Sequence, residues 1–143
     1  NISFALRSLD NPITPDTQIY VADTMGELGL FFSLSDIVLM GKSLVPYGGQ
    51  NPIEPLKFGC AVIHGPHMTN FRWICKEMKK HGCSVEVKTT LECSESISKL
   101  INKISDRKKM IQKGNKFIDS QSEVVSLVTG EILSILDSKY APT

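Results

Sequence analysis

Two short, uninterrupted apolar runs constrain this chain more than any other feature. Residues 36–40 (DIVLM) and 60–64 (CAVIH) show no alternation, and each leads into a glycine-containing loop and then a helix-like stretch. A strand with one face in water alternates polar and apolar residues. A run that is apolar throughout suits a strand covered on both faces, as in a parallel sheet between helices. Other strand-like segments fit around these two: residues 4–6, 18–22 (QIYVA) and 85–87. Residues 26–33, with Leu28, Leu30, Phe31 and Phe32 and then Leu34 just beyond, are expected to form a short, mostly buried helix. Residues 52–58 open with a proline suited to a first turn and stop at Gly59. Residues 71–81 follow Asn70, a candidate cap, and stop at Gly82. The alternation predicts an α/β fold, a Rossmann-like parallel sheet flanked by helices, in a single domain over residues 1–143.

The remainder reads as a helical tail. Residues 94–104 carry Ile97, Leu100, Ile101 and Ile104, and residues 106–118 carry Met110, Ile111, Phe117 and Ile118. Residues 123–136 carry a broad apolar stripe that calls for a large packing partner.

A length of 143 residues suffices to bury a core without disulfide or metal staples. The net charge of +1 argues against a nucleic-acid partner held by bulk electrostatics. Near-neutrality conceals an asymmetry. Residues 1–71 hold three basic side chains (Arg7, Lys42, Lys57) and six acidic ones, whereas residues 72–143 hold thirteen and nine. The basic excess peaks at Arg107, Lys108, Lys109, Lys113 and Lys116, which reads as a solvated helix face or, more sharply, as a surface toward anionic lipid. Cys60, Cys75, Cys83 and Cys93 form no CxxC pair and no zinc spacing with histidine, which suggests buried thiols, a reducing compartment and no metal. No apolar run approaches the roughly 18 residues of a membrane span. The chain starts at Asn1, and a piece of a longer protein is expected.

In doubly wound sheets ligands bind outside the carboxyl ends of the strands. Three segments fall there: residues 23–27, 41–54 and 64–70. In the second, Gly48 and Gly49 precede a helix start, where open backbone N–H groups and the positive dipole end suit a phosphate. Glu54, on the first turn, can accept two hydrogen bonds from a ribose diol. Spacing alone favours a plain turn with a helix-favouring glutamate over a phosphate site, and neither the Walker pattern nor GxGxxG is present. In the first segment, backbone around Gly26 could read a base or sugar, while Thr24 and Glu27 have the spacing of a capping box. In the third, His64 and His67 lack a nearby third ligand and read as loop residues that position a ligand or cap a turn rather than as zinc ligands.

At these segments the sequence resembles the 3-deoxy-D-manno-octulosonic acid (Kdo) transferases. TMGEL at residues 24–28, SLVPYGGQNPIEP at 43–55 and GPHMTNF at 65–71 carry the resemblance, which is clear over residues 23–71 and weaker at Arg7, Ser8 and the tail. It implies the carboxyl-terminal, donor-holding half of a GT-B glycosyltransferase that moves Kdo from CMP-Kdo to a lipid A precursor in lipopolysaccharide biosynthesis. Met25, Gly26, Glu27, Asn51, Pro52, Ile53 and Glu54 would contact CMP, with Gly48 and Gly49 beside the phosphate. No metal or cofactor is implied. Gln50 and Tyr47 depart from the histidine and arginine common in the family. The acceptor site, the catalytic carboxylate, the membrane-associating surface and a CMP-contacting Pro-Arg pair would lie in sequence ahead of Asn1. The full-length enzyme would then work at the cytoplasmic face of the bacterial inner membrane, and this chain alone would hold no catalytic residue and be inactive. The alternatives are a non-catalytic Rossmann-like interaction domain or another GT-B nucleotide-sugar-binding protein.

Overall fold

A computed structural model describes residues 2–140, apart from the side chains of residues 122–128 and 136–140. The elements run β1 (Phe4–Leu6), β2 (Ile19–Val21), α1 (Leu28–Ser33), β3 (Ile37–Leu39), α2 (Ile53–Lys57), β4 (Ala61–His64), α3 (Arg72–Lys80), β5 (Ser84–Glu86), α4 (Thr90–Asn102) and α5 (Ile104–Tyr140), with a 3₁₀ turn at Thr69–Phe71 before α3. All strand pairs are parallel, in two sheets: β1 beside β2, and β3-β4-β5 in that order.

The centre of the fold is β4, whose four residues are all buried. Successive side chains of a strand point to opposite faces, and each face of β4 meets helices. Val62 packs with Leu56 of α2, Cys75 and Met78 of α3 and Phe117 of α5. Ala61 and Ile63 pack with Cys93 and Leu100 of α4, against which Met110 and Ile111 of α5 also rest. Burying a side chain such as Val62 or Ile63 is worth about 1.5–3 kcal/mol each, so this strand anchors both layers. The apolar run at residues 36–40 fares differently. As β3 it is the sheet's edge, with Leu39 40% exposed.

Gly59 (φ +75°) and Gly82 (φ +67°) stop α2 and α3 where the sequence places them. Gly114 lies inside α5 for a different reason: a Cβ there would stand 2.6 Å from Leu56 Cδ1, so its absence lets α5 lie against α2.

Four expectations need correction. First, α1 is not mostly buried. Only Phe32 is, because six residues dock one face through the Tyr20–Phe31 and Phe32–Phe58 ring contacts and leave Leu28, Leu30 and Leu34 exposed. Second, Asn70 does not cap α3. It is taken up in the 3₁₀ turn, and α3 begins at Arg72 with no side-chain cap bond. Third, the tail is two helices rather than three. Thr89 caps α4 by accepting from the Glu92 N–H (3.1 Å), and α5 continues without a break from Ile104 to Tyr140. Most of the apolar stripe expected over residues 123–136 lies outside the described side chains, while Ile132, Leu133 and Ile135 are exposed. Fourth, Arg107 does not belong to an outward basic face. It pairs with Asp36 (3.1 Å) and donates to the Leu100 carbonyl (3.1 Å), tying α5 to the start of β3 and the end of α4. No described helix is long and apolar enough to cross a membrane.

Candidate functional site

Parallel pairing brings the carboxyl ends of β3 and β4 to one edge, and there the loops that follow them are fastened together. Ser43, fully buried, makes the fastening. Its hydroxyl donates to the Met40 carbonyl (2.6 Å) and accepts from the Gly65 N–H (2.8 Å), and its carbonyl accepts from the His67 N–H (2.9 Å). Gly65 is required here, since a Cβ would lie 2.1 Å from the Ser43 carbonyl oxygen.

The Gly-Gly turn packs onto the same place. Gly48 (φ +85°) and Gly49 (φ +69°) both adopt the left-handed backbone that glycine tolerates best. A Cβ on Gly49 would come within 2.2 Å of Met68 Sδ and 3.2 Å of the His67 carbonyl. Beside Gly48 lie the Asn70 amide and the Thr69 hydroxyl. Asn70 therefore stands against the Gly-Gly turn rather than at a helix start.

After the turn, Asn51 organises the approach to α2. Its Oδ1 accepts from the Ile53 N–H (3.1 Å) and its Nδ2 donates to Glu54 Oε1 (3.1 Å). Pro52 is buried at the helix cap. The sequence-based expectation of several open donors at this helix start is reduced: Ile53 is already bonded, Pro55 has no N–H, and α2 is only five residues long. Glu54 is exposed and aimed by Asn51.

These pieces border a hollow of about 330 Å³. Leu28 and Phe32 of α1 form one wall, Gly49, Gln50, Asn51 and Glu54 the other, with Met40 and Phe71 between them. Gln50 thus faces the hollow. Residues 23–27 run into Leu28 at its rim. Met25 is 96% exposed, and nothing lies within 4 Å of a Cβ built on Gly26 (φ +87°). Glu27 is held by the Arg7 guanidinium through Nε (3.1 Å to Oε2) and Nη2 (2.9 Å to Oε1), and by the Thr24 hydroxyl. Asp23 accepts from the Ser8 N–H (2.9 Å) and hydroxyl (2.6 Å). Hydrogen bonds from Arg7 and then Thr24 hold the Glu27 carboxyl below its usual range, and those from Ser8 do the same for Asp23. The expected capping box is absent: no side chain caps α1.

His64 is buried and looks inward. Its Nδ1 donates to the Gly65 carbonyl (2.9 Å), and Nε2 lies 3.5 Å from the Ser84 hydroxyl. All four cysteines are buried free thiols, and burial pushes Cys75 and Cys83 up to about 11. Among the described residues no three His, Cys, Asp or Glu side chains converge as metal ligands would.

Of the residues expected at the site, Gly49, Asn51 and Glu54 line the hollow; Gly48, Pro52 and Ile53 adjoin them along the chain, and Met25, Gly26 and Glu27 lead into the lining residue Leu28 without lining the hollow themselves. Sequence reading missed Ser43 and Met68. A lone serine in a glycine-rich loop carries no signal of the one carbonyl and two amides it connects. Arg7 had a faint signal, in the weak outlying match at residues 7 and 8.

No family model matches the chain. It is 37% identical over 108 residues to the 3-deoxy-D-manno-octulosonic acid transferase of Haemophilus influenzae, a match covering 75% of this chain and 25% of that protein. It is 40% identical over 104 residues to a probable mitochondrial 3-deoxy-D-manno-octulosonic acid transferase of Arabidopsis thaliana, covering 70% of this chain and 23% of that one. The chain therefore spans about a quarter of the length of these relatives. Among solved structures, the C-terminal CMP-Kdo binding domain of WaaA from Acinetobacter baumannii matches with a TM-score of 0.78 and 26% identity, over 82% of this chain and 61% of that one.

Proposed function

From a chain that is a relative of the Kdo transferases, and of the carboxyl-terminal CMP-Kdo binding domain of one of them, we propose a donor-holding domain of a Kdo transferase. Its ligand is CMP-Kdo, and the observation that carries the reading is the hollow between α1 and the Gly49–Glu54 wall in a chain so related. The N–H groups of the Gly48–Gly49 turn face the phosphate, Glu54 accepts from the ribose hydroxyls, and Met25, Gly26, Asn51, Pro52 and Ile53 complete the nucleotide contacts.

In the complete protein this domain faces an amino-terminal domain across a GT-B cleft, at the cytoplasmic face of the inner membrane. A hydroxyl of the lipid A precursor attacks the anomeric carbon of Kdo, and CMP leaves. Charge develops on the departing phosphate, where preorganised backbone donors stabilise it most. The general base comes from the other domain, so the chain by itself binds the donor without turnover.

Titration of the chain with CMP, followed by amide spectra, tests this. Shifts are expected at Gly26, Gly49 and Glu54. Glu54→Ala is expected to weaken CMP binding roughly tenfold or more, since it removes hydrogen bonds to a charged acceptor, and to leave thermal unfolding nearly unchanged because Glu54 is exposed. Unperturbed amides at millimolar CMP overturn the reading.

A further inference from the structure

We infer that Arg7 is a positioning residue of this site: its guanidinium locks the Glu27 carboxylate, so Glu27 serves the ligand through the backbone it anchors and not through its own oxygens. The inference rests on the donor-site reading above.

The geometry around Glu27 is that of an occupied acceptor. Oε1 takes Nη2 at 2.9 Å, Oε2 takes Nε at 3.1 Å, and the Thr24 hydroxyl adds a third donor. Two parallel N–H···O bonds between planar groups fix orientation as well as distance, which a lysine could not do. The third guanidinium nitrogen is also engaged, with Asp10 at 2.6 Å. Arg7 follows β1 directly and Glu27 precedes α1 directly, so the fork ties the end of the two-stranded sheet to the start of the helix that walls the hollow. Ser8 and Asp23 make a second tie four residues before Glu27.

Between the two ties lie Thr24, Met25 and Gly26. Apart from the Thr24 hydroxyl bond to Glu27, this stretch has little to hold it. Met25 is almost wholly exposed, and the space around Gly26 is open. A left-handed glycine with no packing around it would sample many conformations in an untethered loop. Clamped at both ends, it keeps its N–H and carbonyl groups in one place at the rim of the hollow. Preorganisation of this kind strengthens binding by reducing what the ligand must order.

The test uses the chain itself, with Arg7→Met (stem kept, fork removed), Arg7→Lys (charge kept, fork removed) and the swapped pair Arg7→Glu with Glu27→Arg. CMP affinity is read by calorimetry, and local order by hydrogen exchange at Gly26 and Glu27. Arg7→Met and Arg7→Lys are each expected to lose about tenfold in CMP affinity and to speed exchange at Gly26 and Glu27, while Gly49 exchange stays unchanged. The swapped pair is expected to recover part of both. Arg7→Met with wild-type affinity and exchange overturns the inference. Wild-type chain that takes up no CMP overturns the donor reading instead, and the exchange comparison still decides whether Arg7 orders the loop.

Discussion

The two walls of the hollow are built by opposite means. The Gly48–Glu54 wall stands on the buried three-stranded sheet and is held by steric fit: glycines where no Cβ could go, a serine with no solvent exposure, a methionine against a bare backbone. The Met25–Glu27 rim hangs from the small β1–β2 sheet and is held by exposed Ser8–Asp23 hydrogen bonds and the half-buried Arg7–Glu27 ion pair. One wall is rigid because nothing else fits. The other is rigid only while its charges are intact. A site that closes on a ligand from both sides would keep its shape on the first wall and its adjustability on the second.

Gly65→Ala should break the first wall outright. The added Cβ would lie 2.1 Å from the Ser43 carbonyl oxygen and 2.7 Å from the Leu44 N, both backbone atoms that cannot swing aside. Overpacking of this kind costs about 3 kcal/mol or more, and the variant is expected to melt far below the parent or not to fold. A melting curve within a degree or two of wild type would show that the loops can part, and the contrast between the walls would fail.

Ser43→Ala is the gentler version. The loops keep their shape, but the Gly65 N–H loses its acceptor and the Met40 carbonyl loses a donor inside a dry interior. A buried unsatisfied group costs about 1–3 kcal/mol, so denaturant unfolding should show a destabilisation of about 2 kcal/mol. Gly49 exchange should quicken while Gly26 exchange does not. If both quicken together, the two walls are one mechanical unit.

What the sequence revealed and what it hid divide along similar lines. Stops at Gly59 and Gly82, the buried strand β4 and the three loops at the strand ends were legible because each is a local signal, a glycine or a run of apolar residues. The exposure of α1 was not legible, because apolar residues at 28, 30 and 34 look the same whether or not a neighbour covers them. Continuity of α5 was masked by its polar stretch around residues 119–122, which is tolerated because other turns of the helix carry the packing on α2 and α4. Within the site, the glycines and Glu54 announced themselves. Ser43, Arg7 and Asn70 did not, since their roles depend on partners 20 or more residues away in sequence: Gly65 for Ser43, Glu27 for Arg7 and Gly48 for Asn70.

Acid and salt make the mildest probe and separate the walls without a mutation. Hydrogen bonds from Arg7 and Ser8 lower the folded-state values of Glu27 and Asp23 below the ordinary 4.5 and 3.8. A carboxyl lowered on folding contributes stability above its unfolded value and loses it as pH falls through the folded one. The rim should therefore hold at neutral pH and loosen only below about pH 4, as Glu27 and Asp23 take up protons. The charges that face the fork are Arg7 itself and Asp10 across it, with Tyr20 of β2 nearby. Exposed ion pairs are also screened, over a Debye length of about 3 Å at 1 M salt. Hydrogen exchange at Gly26 should accordingly accelerate in acid or in high salt at neutral pH, while exchange at Gly49, whose turn is held by steric fit against Met68 and His67, follows only the intrinsic pH dependence. Equal responses at the two glycines would mean that charge does not distinguish the walls.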